Sequence, residues 1–348
     1  MRIARTKQMR QDSIMLIYAE LSANHAQQER LAFELIDAAA RSGADGIKVQ
    51  TYTPDTITLN AKTAPFIIQD QPLWKGQNLW DLYQKAYTPW EWQPRLKQHA
   101  ESLGLRFAAS VFDSSSVDFW EAHGLNTYKI ASAELIDIPL LTKVASTHKE
   151  IILSTGMATL SEIEEAVATI YSANPAATLT LLRCSSAYPA PASSMNLRAI
   201  QTLIERFKVP VGLSDHSTDD AMAVCAVGIG ATIFEKHIRL ENGPSTPDDA
   251  FSLTPGQFSA WAAAIRRAEE AMGDGVCKPS PEELATLPFR RSLFTVKAIR
   301  AGEPFTRENI RSIRPATGLH PREYEKLLSR RASCDIPEAT PLSWDLVE

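Results

Sequence analysis

Two histidines end two short apolar segments that follow one another in the chain. His216 closes segment 211–216 (VGLSDH) and His237 closes 232–237 (TIFEKH), with helix-like sequence between them. If these segments are adjacent parallel strands, the imidazoles lie side by side at one edge of a sheet, where two neutral imidazoles can share a divalent metal ion. Acidic residues are close in sequence: Asp215, Glu235, Asp248 and Asp249. The alternative is that each histidine only caps its strand and hydrogen-bonds a backbone carbonyl.

Two lysines occur within otherwise apolar segments. Lys48 lies in 47–52 (IKVQTY) and Lys129 lies in 127–132 (TYKIAS). Burying an ammonium group is costly unless it meets an anion. A snorkelling or ion-paired lysine is therefore one interpretation, and a lysine that binds an anionic ligand is the other. Serines end several of the same segments, and lysines with hydroxyls are typical of sites for phosphate and carboxylate. These residue types indicate a phosphorylated carboxylic acid bound beside a divalent metal ion.

The elements that must position these residues are eight strand-like segments separated by helix-like sequence. They are 14–21, 47–52, 106–112, 127–132, 150–156, 179–189, 210–216 and 231–240. Strands that recur after helices indicate βαβ units and a parallel sheet. Eight such units in about 260 residues predict a closed (β/α)8 TIM barrel, an α/β fold. A doubly wound open sheet is the alternative, but no GxGxxG motif follows the first strand.

The active site of such a barrel lies at the carboxyl ends of its strands. We expect the polar residues at the predicted strand ends to surround one mouth. They are Glu20, Lys48, Gln50, Ser110, Lys129, Ser132, Glu134, Ser154, Thr155, Ser185, Ser186, Tyr188, Ser214, His216, Glu235 and His237. A long aromatic and polar insertion, 53–88, follows the second strand.

The chain is expected to contain two domains. The barrel spans 1–273, a linker rich in proline and charge spans 274–288, and a small β-rich domain spans 289–348. A domain of this size is near the lower limit for independent stability, so we expect it to gain stability by docking on another surface. Its arginines are expected to form a basic face, and Arg314, between an isoleucine and a proline, is the candidate for a functional role.

Composition excludes several classes of function. The chain has 348 residues and a net charge of −5, without a long basic block, so nucleic acid is not an expected partner. Its four cysteines show no metal-binding spacing and indicate free thiols in a reducing compartment. No apolar segment is long enough to cross a membrane, and residues 1–12 are polar and basic, without the apolar core of a signal peptide. We expect a cytoplasmic protein.

Several motifs together resemble the sialic acid synthase (NeuB-like) family. They are 19–25 (AELSANH), 48–51 (KVQT), 128–132 (YKIAS), 153–157 (LSTGM), 212–216 (GLSDH) and 235–237 (EKH). The C-terminal segment, with 301–303 (AGE) and 313–315 (IRP), resembles the antifreeze-like SAF domain of that family. Four further motifs look most like the pseudaminic acid branch: 50–56 (QTYTPDT), 87–92 (YTPWEW), 186–191 (SAYPAP) and 290–294 (RRSLF).

The resemblance implies a transferase that condenses phosphoenolpyruvate with an amino-sugar aldehyde. The products are a nine-carbon 2-keto acid and phosphate, formed by cleavage of the C–O bond. In the pseudaminic acid branch the acceptor is a 2,4-diacetamido-2,4,6-trideoxy-altrose. The alternatives are N-acetylneuraminate or legionaminate synthesis and, outside enzymes, a carbohydrate-binding regulatory protein.

The resemblance also implies roles for individual residues. His216 and His237 would bind Mn2+ or Mg2+, which would polarise the aldehyde. Glu134 is a candidate for proton transfer, and Arg314 would reach the barrel of a neighbouring subunit in a domain-swapped homodimer. The residues implied for phosphoenolpyruvate are Lys48, Ser110, Lys129, Ser132, Ser154, Ser186 and Ser214. Those implied for the acceptor or for metal-bound water are Glu20, Gln50, Tyr188 and Asp248.

The sequence departs from the family pattern at two of these positions. Ser186 stands where the sialic acid branch carries an amide side chain, and Ser110 stands where a threonine is usual. Both keep a hydrogen-bonding group but change its reach, so the contacts made to phosphate and carboxylate can differ from the family pattern.

Overall fold

The computed structural model describes residues 15–71 and 73–348. Eight parallel strands form a closed barrel in sequential order, because β1 pairs with β2 on one side and with β8 on the other. The strands are β1 Leu16–Glu20, β2 Gly46–Thr51, β3 Arg106–Val111, β4 Thr127–Ile130, β5 Glu150–Ser154, β6 Leu179–Cys184, β7 Val211–Asp215 and β8 Ile233–His237. This closure confirms the predicted (β/α)8 barrel and excludes the open sheet.

Helices follow the strands and cover the outside of the barrel. They are α1 Glu29–Arg41, α2 Pro54–Ile57, α3 Leu79–Ala86, α4 Gln93–Ser102, α5 Ser114–Ala122, α6 Ile138–Ala145, α7 Leu160–Ala173, α8 Ala192–Met195, α9 Ala199–Phe207, α10 Ala221–Ile229 and α11 Pro255–Met272. Helix α7 shows why the sequence folds this way. Thr159 and Glu162 form a capping box at its start, and its buried residues recur at helical spacing from Ile163 to Ile170.

Alternation along the strands divides their side chains between two cores. The larger core lies between the strands and the helices and includes Ile17, Ala19, Ile47 and Val49. A small apolar layer fills the barrel interior and consists of Tyr18, Ala108, Ile152, Leu182 and Ile233. Since strand side chains alternate, the residue two positions further along each strand points into the same interior, nearer the carboxyl ends.

Gly46 makes room for this apolar layer. A Cβ atom at position 46 would lie 2.6 Å from a carbon of the Tyr18 ring, so no larger residue fits beside that ring. The Tyr18 ring thus fills the barrel interior below the polar residues of β1 and β2.

Residues 274–348 form a second compact unit. Strands β9 Ser292–Thr295 and β10 Ile310–Ile313 pair antiparallel, and short helices α12 Pro281–Leu284 and α13 Tyr324–Leu327 accompany them. Its core residues are Leu293, Ile299, Phe305, Ile310, Leu327, Ala332, Ile336 and Leu342. The segment proposed as a linker, 274–288, groups with this unit and contains α12.

Some predicted element boundaries were wrong. Strand β6 ends at Cys184 rather than 189, because a loop begins at Ser185, and β8 ends at His237 rather than 240. The insertion 53–88 contains α2 and α3. The expectation for residues 1–12 lies outside the described residues. In the described part of the chain, none of the helices has the length and apolar character needed to cross a membrane.

Candidate active site

An ionic cluster occupies the barrel interior just above the apolar layer. Lys129 Nζ lies 2.8 Å from Glu235 Oε2, and Lys48 Nζ lies 3.5 Å from Glu235 Oε1. Lys48 also forms an ion pair with Glu20. All four side chains are buried, so two ammonium groups and two carboxylates balance one another inside the barrel. The ion-paired interpretation of the two lysines therefore agrees with the structure.

Serine hydroxyl groups hydrogen-bond to this cluster, and the charges within the cluster shift the pKa values of Glu235 and Lys129. Lys48 donates a hydrogen bond to Ser110 Oγ at 3.1 Å, and Ser214 Oγ donates one to Glu235 Oε1 at 3.0 Å. Burial favours a neutral Glu235, but the nearby Lys129 and Lys48 outweigh burial and hold its pKa well below the usual range. Burial lowers the pKa of Lys129, with Glu235 opposing that shift. Glu235 therefore stays ionised and keeps both lysines in place.

Strand β8 aims Glu235 and His237 into the barrel because its other residues are held outside. The Phe234 ring packs against Trp261 with the ring centroids 6.4 Å apart. Lys236 Nζ pairs with Asp215 Oδ2 at 2.8 Å, and both side chains are fully buried. These outward contacts leave the alternate residues of β8 facing the interior.

The two histidines lie side by side at the top of the interior. The ring centroids of His216 and His237 are 5.4 Å apart, and both residues are buried. His216 Nδ1 is 2.9 Å from the Ser185 carbonyl oxygen. A carbonyl only accepts, so Nδ1 donates to it, and Nε2 is the nitrogen left to bind a metal ion. His237 Nδ1 is buried, has no hydrogen-bond partner among the described residues, and lies 3.7 Å from Asp248 Oδ2.

This donor set fits a divalent metal ion. Burial lowers the pKa of His237 well below its ordinary value, so its imidazole is neutral as a ligand must be. Within residues 15–71 and 73–348, no group of three or more His, Cys, Asp or Glu side chains is arranged to enclose a metal. Two imidazoles suit an ion whose other positions are open to substrate and water.

A set of serines lines the same cavity as the two lysines. Gly156 N–H donates a hydrogen bond to Ser132 Oγ at 3.0 Å. The hydroxyls of Ser154 and Ser186 are buried and have no hydrogen-bond partner in the described structure. A Cβ atom at Gly156 would lie 2.6 Å from Ser186 Oγ and 2.7 Å from Ser132 Oγ, so glycine allows these hydroxyls to converge. Free buried hydroxyls beside two lysines can hold phosphate and carboxylate oxygens.

Most of the predicted site residues line one cavity of about 300 Å3. They are Lys48, Gln50, Ser110, Lys129, Ser132, Glu134, Ser154, Ser186, Tyr188, Ser214, His216, Glu235 and His237. Glu134 contributes a carboxyl oxygen that is buried without a partner, and burial raises the pKa of this group to about 7. The cavity thus combines anion-binding groups, two imidazoles and a carboxyl that titrates near neutral pH.

Three predicted residues lie elsewhere. Glu20 is fully buried beside Lys48 and accepts a hydrogen bond from Ser22 N–H at 2.7 Å, outside the cavity lining. Asp248 lines an adjoining cavity and accepts from Ala23 N–H at 3.3 Å. Arg314 is exposed at the end of β10 in the second unit, and its predicted contact with a partner subunit stays a prediction.

Two strand-end residues predicted from the sequence point away from the cavity, and some residues that line the cavity were not predicted. Ser185 Oγ hydrogen-bonds Ser194, and Thr155 Oγ1 donates to the Leu182 carbonyl, so neither lines the cavity. Cys184 does line it, and its position two residues before Ser186 was the available signal. Tyr52 and Met157 also line the cavity, but the sequence carried no comparable signal for them.

The chain is similar to known proteins over most of its length. The NeuB family model matches residues 35–277, and the SAF domain model matches 290–348. A pseudaminic acid synthase from Helicobacter pylori is 43% identical over 333 residues, covering 95% of this chain and 97% of that protein. An N,N'-diacetyllegionaminic acid synthase from Campylobacter jejuni is 38% identical, covering 93% and 97%. The crystal structure of an N-acetylneuraminic acid synthetase from Leptospira borgpetersenii superimposes with a TM-score of 0.68 at 29% identity, covering 78% of this chain and 90% of that one.

Proposed function

The chain belongs to the NeuB family, and on that premise we propose that it condenses phosphoenolpyruvate with an amino-sugar aldehyde. The products are a nine-carbon 2-keto acid and phosphate. We propose pseudaminic acid as the acid formed, from 2,4-diacetamido-2,4,6-trideoxy-altrose, because the similarity to a pseudaminic acid synthase is higher than that to a legionaminic acid synthase. The observation that carries the synthase assignment is the convergence of two lysines, free serine hydroxyls and two imidazoles on one cavity.

Lys48, Lys129 and the serines would hold the two anionic groups of phosphoenolpyruvate. Both lysines pair with Glu235 in the ligand-free protein, so the incoming phosphate or carboxylate shares or replaces those pairs. The hydroxyls of Ser154 and Ser186, which have no partner among the described residues, supply further donors to the same cavity. This arrangement orients the enol carbon toward the part of the cavity lined by His216 and His237.

The reaction forms one C–C bond and breaks one C–O bond. The enol carbon attacks the aldehyde carbon, water adds to C2 of the former enolpyruvate, and the C–O bond to phosphate then breaks. A divalent ion, Mn2+ or Mg2+, held by His216 and His237 would supply Lewis-acid polarisation of the aldehyde. The aldehyde oxygen gains a proton and the water loses one, and Glu134 is the group that we assign to this proton transfer, because its pKa of about 7 allows both protonation states.

The test is phosphate release with phosphoenolpyruvate, Mn2+ and the altrose acceptor. We expect oxygen-18 in the bridging position of phosphoenolpyruvate to appear in the released phosphate, since the C–O bond breaks. His216→Ala and His237→Ala should abolish turnover and its metal dependence while the folded structure is kept, and His123→Ala, an exposed histidine, is the matched control. No phosphate release with every amino sugar tried would refute the synthase assignment. Sugar binding by calorimetry without turnover would favour a binding protein instead.

We further propose that the active enzyme is a domain-swapped homodimer. Arg314 is exposed in the second unit, and a guanidinium group is well suited to hydrogen-bonding an acceptor sugar. Sedimentation should therefore give twice the mass of the chain.

A further inference from the structure

A buried ion pair lies on the outer side of the two strands that carry the histidines. Lys236 Nζ is 2.8 Å from Asp215 Oδ2, and neither side chain is exposed. The two residues stand opposite one another in the register of β7 and β8. Asp215 directly precedes His216, and Lys236 directly precedes His237. The pair therefore joins the two backbone segments that carry the imidazoles.

The ammonium group of Lys236 also holds the turn that follows β7. It donates a hydrogen bond to the Ser217 carbonyl oxygen and lies 3.5 Å from Ser217 Oγ. Asp215 Oδ1 accepts a hydrogen bond from Ser217 N–H at 2.9 Å. The Trp261 ring of α11 lies next to the ammonium group, with its centroid 5.8 Å from the nitrogen. The residues on both sides of His216 are thus bound to one charge pair.

His216 depends on such contacts because it lies beyond the end of its strand. Strand β7 ends one residue earlier, whereas His237 is the last residue of β8 and is paired with β1. The His216 carbonyl accepts a hydrogen bond from Ala190 N–H at 2.9 Å, and its Nδ1 donates to the Ser185 carbonyl. Both partners belong to the loop after β6, so these two contacts do not connect His216 to β8. The buried ion pair supplies that connection.

Stability alone does not account for an ion pair in this place. A buried ion pair usually stabilises a protein no more than well-packed apolar residues of similar volume. A metal site, in contrast, needs its donor atoms held within about 0.5 Å of their working positions. Residues that orient the ligands of a metal typically change its affinity about 10–100-fold.

Resting on the metal site of the proposed function, we propose that Lys236 and Asp215 are positioning residues that set the separation of the two imidazoles. The pair lies outside the cavity lining and acts through the backbone next to His216 and His237. Without it, the turn that carries His216 is free to shift relative to β8. The expected consequence is weaker binding of the divalent ion. Binding of phosphoenolpyruvate should be kept, because the lysines of the ionic cluster have separate contacts.

The experiment measures Mn2+ binding to the full-length protein, by calorimetry and by electron paramagnetic resonance of the free ion. The variant combines Asp215→Asn with Lys236→Met, which leaves no lone buried charge and keeps an acceptor for Ser217 N–H. Its Kd for Mn2+ should be about tenfold higher than that of the wild-type protein. The matched control combines Asp45→Asn with Arg266→Met, because these residues form an ion pair at the opposite, amino end of the barrel. The control should bind Mn2+ as the wild-type protein does.

A second variant combines Asp215→Asn with Lys236→Gln. Its two amides keep hydrogen-bonding groups in place of the charges, so it should fold, and its Kd should rise less than that of the first variant. Circular dichroism and urea unfolding establish that each variant is folded, and the second variant carries the test where the first does not fold.

Folded variants that bind Mn2+ with the wild-type Kd overturn the inference and leave the synthase function standing. An equal loss of affinity in the control also overturns it, since the effect would then come from general loosening of the barrel. A wild-type protein that binds no Mn2+, or binds it no better than His216→Ala, overturns the metal site together with the inference.

Discussion

Replacing Glu235 by glutamine tests whether the ionic cluster inside the barrel is arranged as described. The substitution keeps the shape of the side chain and removes the carboxylate that faces Lys129 at 2.8 Å and Lys48 at 3.5 Å. At an effective dielectric constant of about 20, charges at these separations attract by roughly 6 and 5 kcal/mol. Desolvation offsets much of that attraction, and removing one partner of a buried pair typically costs about 3–5 kcal/mol. We expect a loss of stability of that order for Glu235→Gln.

The assay is urea unfolding of the barrel at pH 7 and at lower pH. Because the folded-state pKa of Glu235 is depressed, its contribution to stability is present above the unfolded-state pKa of about 4.3 and is lost as pH falls below that value. The difference between the wild-type protein and Glu235→Gln should therefore shrink in acid. Glu150→Gln is the control, since Glu150 pairs with the partly exposed Arg106 and a surface pair contributes only about 0–1 kcal/mol.

The increase in stability on adding phosphoenolpyruvate provides a second measurement for this test. In Glu235→Gln the two lysines lack a shared carboxylate, so the anionic ligand should raise stability more in the variant than in the wild-type protein. A variant as stable as the wild-type protein at pH 7 would contradict the ionic arrangement. A smaller ligand-induced gain in the variant would contradict the proposal that these lysines bind phosphoenolpyruvate.

Three other substitutions test separate parts of the site. Burial raises the pKa of Glu134 to about 7, so ionisation of this carboxyl opposes folding as pH rises from about 4.3 toward 7. Glu134→Gln should therefore be more stable than the wild-type protein above pH 7. The pH profile of its kcat/KM should also lack the change near pH 7 that is expected for the wild-type protein. Gly156→Ala should raise the KM for phosphoenolpyruvate about tenfold, measured by phosphate release with circular dichroism unchanged, because its methyl group displaces the hydroxyls of Ser132 and Ser186. Arg314→Ala should raise the acceptor KM or lower kcat without changing phosphoenolpyruvate binding, whereas unaltered kinetics would leave Arg314 a surface residue.

Much of the site was predictable because strand periodicity is a local property of the chain. Once Lys48 and His237 are placed on strands, alternation determines the side on which each lies, and parallel pairing brings the strand ends together. Ser185 and Thr155 were the failures of this reasoning. They stand at strand ends as predicted, but they lie one position out of phase with the inward-facing residues and bond backbone or loop atoms instead.

The insertion between β2 and α4 was not predictable in the same way. Its aromatic residues have no regular period, and the contact of Trp74 with Tyr188 joins two segments far apart in the chain. The sequence indicated only a long aromatic and polar insertion, and it predicted neither the short helices α2 and α3 nor the cavity that residues of α3 line. That cavity was therefore visible only in the folded protein.

By itself, the amino-acid sequence determined the barrel, the family and the side chains at the mouth of the barrel. Hydrophobic alternation and short motifs are properties of neighbouring residues in the chain, so they can be recognised without the folded structure. Only the tertiary structure decided how those groups pair. Lys129 and Glu235 are 106 positions apart in sequence, and closure of the barrel brings them into contact. Closure also leaves the hydroxyls of Ser154 and Ser186 free and places the imidazoles of His216 and His237 together, since each of these arrangements depends on side chains from separate strands sharing one buried space.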